Sequence, residues 1–261
     1  MTARADAFTA LVTGASSGLG AEFARQLAEE GYHLILVARD AERLGAVAAP
    51  LERDYGITAE VLPADLTDDD GVAAVVARLT DASRPVEVLV NNAGIGLAHS
   101  FEKNPIEVEK RHLRLHVQTT LELSHAALQG MLARGSGRLV NVASVAAFAT
   151  RGTYGAAKAW ELSFSRWANV NYGPSGVQVT AVCPGFVHTE FHQRMGIDKA
   201  AMPRWMWLDA RNVVREGLAD NLRGKAVSIP SLRYKVVVAA TRFLPARFTR
   251  GPERRPLERT D

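Results

Sequence analysis

The chain has 261 residues, 47% hydrophobic and 23% charged, with a formal net charge of +3, an ordinary globular composition that gives no basis for a nucleic-acid partner. No run approaches the roughly 18 apolar residues of a membrane span. The single cysteine, Cys183, excludes an intrachain disulfide framework and fits a reducing compartment.

Met1 to Thr9 holds one Arg, one Asp and no long apolar stretch, so no secretory signal is expected and a cytoplasmic location is. Phe8 to Thr13 is a short apolar run that enters Gly14-Ala15-Ser16-Ser17-Gly18-Leu19-Gly20, followed by a helical pattern with Phe23, Leu27 and Ala28 on one side. Next come a strand at His33 to Ala38, a helix at Asp40 to Tyr55, a strand at Ile57 to Leu62, a helix at Asp68 to Ala82 and a strand at Val86 to Asn91. A long helical region, Pro105 to Ala133, leads to a strand at Arg138 to Ala143 and a helix at Gly152 to Tyr172. The strand Gln178 to Cys183 stops at Pro184-Gly185. A less regular segment from Phe186 to about Leu208, rich in His, Met and Trp, precedes a helix at Asp209 to Leu222 and a last strand at Ala226 to Ile229.

Strands that alternate with helices and are near-continuous apolar runs predict an α/β fold: a doubly wound parallel sheet of about seven strands between two helical layers. Residues 1–230 read as one Rossmann-like domain, and 231–261 as a basic tail of the same chain. From Arg223 onward ten Lys or Arg stand against three Asp or Glu.

The glycine loop has a physical purpose. Small residues let backbone N–H groups approach a pyrophosphate, and a helix N-terminus favours negative charge. Its spacing, Gly14-x3-Gly18-x-Gly20, differs from the commoner Gly-x-Gly-x-x-Gly. At the end of the second strand a carboxylate would bond the ribose hydroxyl of NAD, whereas a basic residue accommodates the phosphate of NADP. Arg39 comes first there, with Asp40 after it, which favours NADP(H) over NAD(H).

Tyr154 and Lys158 lie four apart on a predicted helix and share a face. An ammonium beside a phenol favours phenolate and is expected to lower the tyrosine pKa, making Tyr154 a candidate general acid/base.

Taken together, Thr13-Gly14-x3-Gly18-x-Gly20, Asp65-Leu66, Asn91-Asn92-Ala93-Gly94, Ser144, Tyr154-x3-Lys158 and Pro184-Gly185 resemble the short-chain dehydrogenase/reductase family from Phe8 to about Ile229. The resemblance implies strand order 3-2-1-4-5-6-7, a nicotinamide cofactor and assembly as a dimer or tetramer on the two long helices. It also implies that Ser16, Ser17 and Leu19 belong to the cofactor loop, that Asp65 and Leu66 lie near the adenine, and that Asn92 to Gly94 line the cofactor. Thr189 would reach the carboxamide or phosphates, and the Val187 backbone the nicotinamide amide. Ser144 would bond the substrate carbonyl, Tyr154 deliver the proton and Lys158 hold the ribose.

Two departures from the family stand out. Ser144 precedes Tyr154 by ten positions, about three fewer than in many members, which shortens a loop bordering the substrate. His116 falls where the family often has an Asn of a proton relay. Histidine either continues that relay with added pH sensitivity or is structural.

The pairs His112/His116 and His188/His192 lack further ligands at metal-like spacing, so no metal is expected. Cys183 reads as a buried, inert thiol, and Trp160 and Trp167 as packing or subunit-contact residues. Phe186, Met195, Met202, Trp205, Met206 and Trp207 are either an apolar substrate cleft or ordinary core. In the tail, Val236, Val237, Ala240, Phe243, Leu244 and Phe248 form a candidate apolar helix face edged by Lys235, Arg242 and Arg247. That face would cover the pocket or a neighbouring subunit, or touch an anionic membrane weakly. Gly251 to Asp261 reads as disordered.

The expected function is an NADP(H)-dependent oxidoreductase interconverting a carbonyl and a secondary alcohol on a hydrophobic small molecule. A non-catalytic nucleotide-binding regulator of the same fold and a sugar-nucleotide epimerase or dehydratase are the competing readings.

Overall fold

The computed structural model describes residues 8–97, 99–189 and 203–241. Its strands are β1 (Thr9–Thr13), β2 (His33–Ala38), β3 (Ala59–Pro63), β4 (Val88–Asn91), β5 (Gly137–Val142), β6 (Val177–Val182), the two-residue β7 (Phe186–Val187) and β8 (Trp207–Leu208), and β9 (Val227–Ser228). The helices are α1 (Gly18–Glu29), α2 (Ala41–Tyr55), α3 (Asp69–Leu79), α4 (Ile106–Leu113), α5 (Thr120–Arg134), α6 (Gly152–Tyr172), α7 (Ala210–Leu222) and α8 (Leu232–Thr241).

Seven strands form one parallel sheet in the order β3-β2-β1-β4-β5-β6-β9, the order that the resemblance implies once the β7–β8 pair is set aside. Alternate residues serve opposite faces. Ala10, Val12, Val88, Val90 and Val140 pack with Phe23, Leu27, Leu44, Val214 and Leu218 of α1, α2 and α7. Leu11, Leu89, Leu139 and Val179 pack with Val75, Leu123, Met131 and Ala168 of α3, α5 and α6. Because both faces are covered, the central strands tolerate no polar alternation, which explains their apolar runs. No helix among the described residues is long and apolar enough to cross a membrane.

The helical region expected over about Pro105 to Ala133 is helical from Ile106 to Arg134, with a π-turn at Arg114–Thr119 between α4 and α5. Such an insertion of one backbone step re-aims side chains, and here it seats His116 in the interior. In the less regular segment after Pro184-Gly185, Phe186↔Trp207 and Val187↔Leu208 pair in parallel. The tail face is also turned differently. On α8 Tyr234 and Val238 are buried, while Val236 and Val237 are exposed.

The placement of Tyr234 explains that turn. Its ring lies where a side chain on Gly185 would be, 2.0 Å from an ideal Cβ, and its hydroxyl donates to Met206 O and accepts from Phe186 N. The helix is therefore fixed from its inner side by the loop after β6. Phe243, Leu244, Phe248, Arg242, Arg247 and residues 251–261 lie outside the described residues, as do Met195, Met202 and His192.

Candidate active site

In an open α/β sheet, ligands bind beyond the carboxyl ends of the strands, at the point where strand order reverses. That point lies between β1 and β4. The segments singled out from the sequence follow strand ends: Gly14–Gly20 after β1, Arg39 after β2, Asp65-Leu66 after β3, Asn92–Gly94 after β4, Ser144 after β5 and Pro184-Gly185 after β6. Tyr154 and Lys158 come from α6 and His116 from the π-turn.

The ends of β1 and β4 are stitched together. Thr13 Oγ1 donates to Val90 O and accepts from Asn92 N and Ala93 N, while Asn92 Nδ2 donates to Thr13 O at 2.8 Å. The glycine loop lies against this seam. A Cβ on Gly20 would be 2.2 Å from Gly14 O, so the helix can begin this close to the strand only with glycine there. Ser17 is the N-cap of α1 but makes no side-chain cap bond, which leaves the first N–H groups of the helix open to an anionic ligand. Leu19 packs against the cluster of Val187, Leu208, Val213 and Tyr234, and Thr189 stands over Gly18, 3.2 Å from its ideal Cβ position. The residues from β1, β4 and the segment after β6 thus surround one cradle.

At the second strand the two charged neighbours divide their tasks. Asp40 caps α2, its Oδ1 accepting from Arg43 N at 3.0 Å. Arg39 extends toward Asp65, 3.8 Å away, and is mostly exposed. Arg111 of α4 reaches the same carboxylate at 3.5 Å, a neighbour that the sequence reading did not single out. Burial opposes ionisation of Asp65, but hydrogen bonds from Thr67 and the two arginines hold it below the usual carboxylate range. Leu66 is buried, and its carbonyl accepts from Thr119 Oγ1.

Ser144 begins a short 3-10 turn, Val145–Phe148, and its Oγ accepts from Ala146 N at 3.1 Å. It is also hydrogen-bonded to the Tyr154 phenol. Around that phenol stand the rings of His112 and His116, each 5.9 Å away, with His116 edge-on. His116 fills the space beside Gly94, where a Cβ would meet its Cε1 at 2.6 Å. Its Nε2 lies within hydrogen-bond reach of Ile95 N and Ile95 O, so the two ring tautomers serve different backbone partners.

Lys158 is buried, and its Nζ donates to Val142 O at 2.7 Å and to both carboxylate oxygens of Glu161 at 2.9 and 3.0 Å. Glu161 is the residue that sequence reasoning missed. It follows Lys158 by three and Tyr154 by seven, so helical spacing alone puts an acid on the face of Tyr154 and Lys158. Its presence changes the tyrosine. The phenol is not lowered as the Tyr154–Lys158 spacing predicts; burial raises it, and Glu161 offsets the lowering by Lys158 and Ser144. Burial likewise pushes the Cys183 thiol up to about 12, and it holds His112 down at about 3 with help from the charges of His116 and Lys158.

The short chain dehydrogenase family model matches residues 8–200, three quarters of the chain. The chain belongs to that family. It is an oxidoreductase of short-chain dehydrogenase type. A short-chain dehydrogenase from Sphingobium yanoikuyae, solved in complex with NADPH, is 35% identical, with a TM-score of 0.82 over 95% of this chain and 99% of that one. A bulky-bulky ketone specific alcohol dehydrogenase from Comamonas testosteroni is 32% identical, with a TM-score of 0.76 over 90% and 92%. Sulfoacetaldehyde reductase 2 of Chromohalobacter salexigens is 35% identical over 198 residues, 73% of this chain and 77% of the relative.

Proposed function

We propose that this short-chain dehydrogenase is an NADP(H)-dependent enzyme interconverting a hydrophobic ketone and its secondary alcohol, with Tyr154 as the general acid/base. The observation that carries the reading is the Tyr154 phenol, hydrogen-bonded to Ser144 at the end of β5 and set on the same helix as Lys158. NADPH in the Sphingobium relative and the bulky ketones named for the Comamonas relative support the cofactor and the substrate class.

The residues fit a dinucleotide. Gly14, Ser16, Ser17, Gly18, Leu19 and Gly20 make a close cradle beside the open N-terminus of α1. Arg39 is free of the capping task that Asp40 performs and is suited to the phosphate that distinguishes NADP from NAD. Asp65 and Leu66 would border the adenine end of the bound cofactor, and Asn92, Ala93, Gly94, Pro184, Gly185, Val187 and Thr189 the nicotinamide end.

Bound NADPH supplies the hydride that reaches the carbonyl carbon. Ser144 donates a hydrogen bond to the carbonyl oxygen as negative charge grows there. Tyr154 gives that oxygen its phenolic proton, completing the alcohol, and takes a proton back in the reverse direction. Lys158 would orient the cofactor's ribose side, and His116, its ring beside that of Tyr154 and its Nε2 engaged by Ile95, would either pass a proton toward the tyrosine or serve a structural role. Phe186 and Trp207, with ring centroids 5.7 Å apart, offer an apolar wall for the substrate. Exposed Leu121, Trp167 and Val170 on α5 and α6 suit a homodimer or homotetramer contact.

NADPH consumption against aliphatic, steroid and acyl ketones tests the reading. Turnover of at least one bulky ketone, with NADPH preferred to NADH, is the expected result. Tight NADPH binding without turnover of any ketone would overturn it and favour a regulator.

A further inference from the structure

A lysine held for catalysis is useful as a free positive charge beside the phenol, yet here the charge is answered at once. The Lys158 ammonium donates to Val142 O and to the Glu161 carboxylate, whose two oxygens both lie within hydrogen-bond reach of Nζ. The ion pair is enclosed, with both side chains less than a tenth exposed. Glu161 Oε1 also lies 3.5 Å from His116 Nδ1, a buried nitrogen with no other hydrogen-bond partner. Helix α6 and the π-turn therefore bring one carboxylate against both groups that flank the catalytic tyrosine.

The backbone that carries Glu161 is tied to the sheet: its carbonyl accepts from Ser165 Oγ, which accepts from Asn141 Nδ2, and Asn141 Oδ1 accepts from Asn91 Nδ2. This chain of buried bonds runs through β5 into β4 and ties the α6 turn bearing Glu161 to the centre of the sheet. A buried carboxylate costs several kcal/mol to desolvate unless it is paired and held in good geometry. Here it is paired on one side by Lys158 and faces His116 on the other.

We propose that Glu161 is a positioning residue of the active site, which fixes Lys158 and His116 and compensates the lysine charge so that Tyr154 stays protonated and acts chiefly as the acid of carbonyl reduction. This inference rests on the reading of Tyr154 as the general acid/base. The groups facing the phenol are Lys158 and Glu161 from α6, His112 from α4, His116 from the π-turn, Ser144 after β5 and Cys183 after β6. Burial and Cys183 act on the phenol in the same direction as Glu161, while Lys158 and Ser144 oppose them. Among these groups, Glu161 supplies the negative charge that answers Lys158 directly.

The test compares wild type with Glu161→Gln, which keeps the shape and loses the charge, and with Glu161→Val, which loses both. Phenolate absorbance is titrated in the near ultraviolet, each protein being referenced to its own Tyr154→Phe form so that only Tyr154 is read. In both variants phenolate should form about one pH unit or more below wild type, as for a phenol left beside an uncompensated cation. The rising limb of 1-phenylethanol oxidation with NADP should move the same way. Phenolate titration unchanged in Glu161→Gln, with the fold retained by circular dichroism, would overturn the proposal even if Glu161→Val fails to fold. The titration needs no turnover. A protein inactive on every ketone would therefore refute the reductase reading and leave this result interpretable.

Discussion

Lys158 and Glu161, one helical turn apart on α6, bind each other through two charge-assisted hydrogen bonds of 2.9 and 3.0 Å inside the protein. Removing one member of such a pair strands the other charge, whereas removing both restores neutrality. Lys158→Met is expected to cost about 3–5 kcal/mol in urea unfolding. The double variant Lys158→Met/Glu161→Leu should cost measurably less than the single one. Additive losses would mean that the two side chains do not interact.

Gly20 is the tightest point of the cofactor cradle, since a methyl group would sit 2.2 Å from Gly14 O and neither backbone can yield cheaply. Gly20→Ala should destabilise the fold by about 1–3 kcal/mol, as overpacked sites do. It should also weaken NADPH binding about tenfold or more, a loss of roughly 1.4 kcal/mol. Calorimetry of NADPH binding to the folded variant checks this directly.

Arg39 separates the two cofactors if its guanidinium meets the extra phosphate. A hydrogen bond to a charged group contributes about 1.5–3 kcal/mol, so Arg39→Leu should raise the Kd for NADPH about tenfold or more and leave NADH nearly unchanged. An equal loss for both cofactors would place Arg39 in general folding or binding instead.

Asp220 makes stability depend on pH at the far edge of the sheet. Its carboxylate accepts from Lys225 Nζ at 2.7 Å and Ser228 Oγ at 2.8 Å, joining α7 to β9. Burial opposes ionisation, but those bonds win and hold the carboxyl below its ordinary value of 3.8. A folded-state pKa below the unfolded one gives stability that is complete above the unfolded value and drains away as pH falls through the folded one. Asp220→Asn should therefore be less stable than wild type by about 1–3 kcal/mol at neutral pH. The gap should hold down to about pH 4 and close below it, as read by thermal melting across that range.

Much of this was legible in the sequence because parallel strands covered on both faces must be apolar, and short apolar runs such as Val88–Asn91 carry that pattern plainly. The loop residues were legible for a related reason: glycines at Gly14, Gly18 and Gly20 in a strand–loop–helix unit have few other uses. What escaped were relations between elements. The π-turn at Arg114–Thr119 leaves no mark on helical periodicity, so His116 gave no sign of how deeply it is set. Glu161 shares the helical face of Tyr154 and Lys158 by spacing, but its enclosure against Lys158 and His116 shows only once the π-turn is packed against α6. The pKa of Tyr154 followed the same rule, because a neighbour four residues away is visible in sequence and enclosure is not.

The central claim is that Tyr154 supplies the proton while the glycine cradle holds the cofactor. It is tested most directly by measuring NADPH-dependent reduction of a bulky ketone by wild type and Tyr154→Phe, with the NADPH Kd of each determined in parallel. The variant should lose turnover by about a hundredfold or more, the scale of a positioned general acid, at an NADPH Kd within about threefold of wild type, less than the 1.4 kcal/mol that a tenfold change would represent. Retained turnover in Tyr154→Phe would contradict the claim.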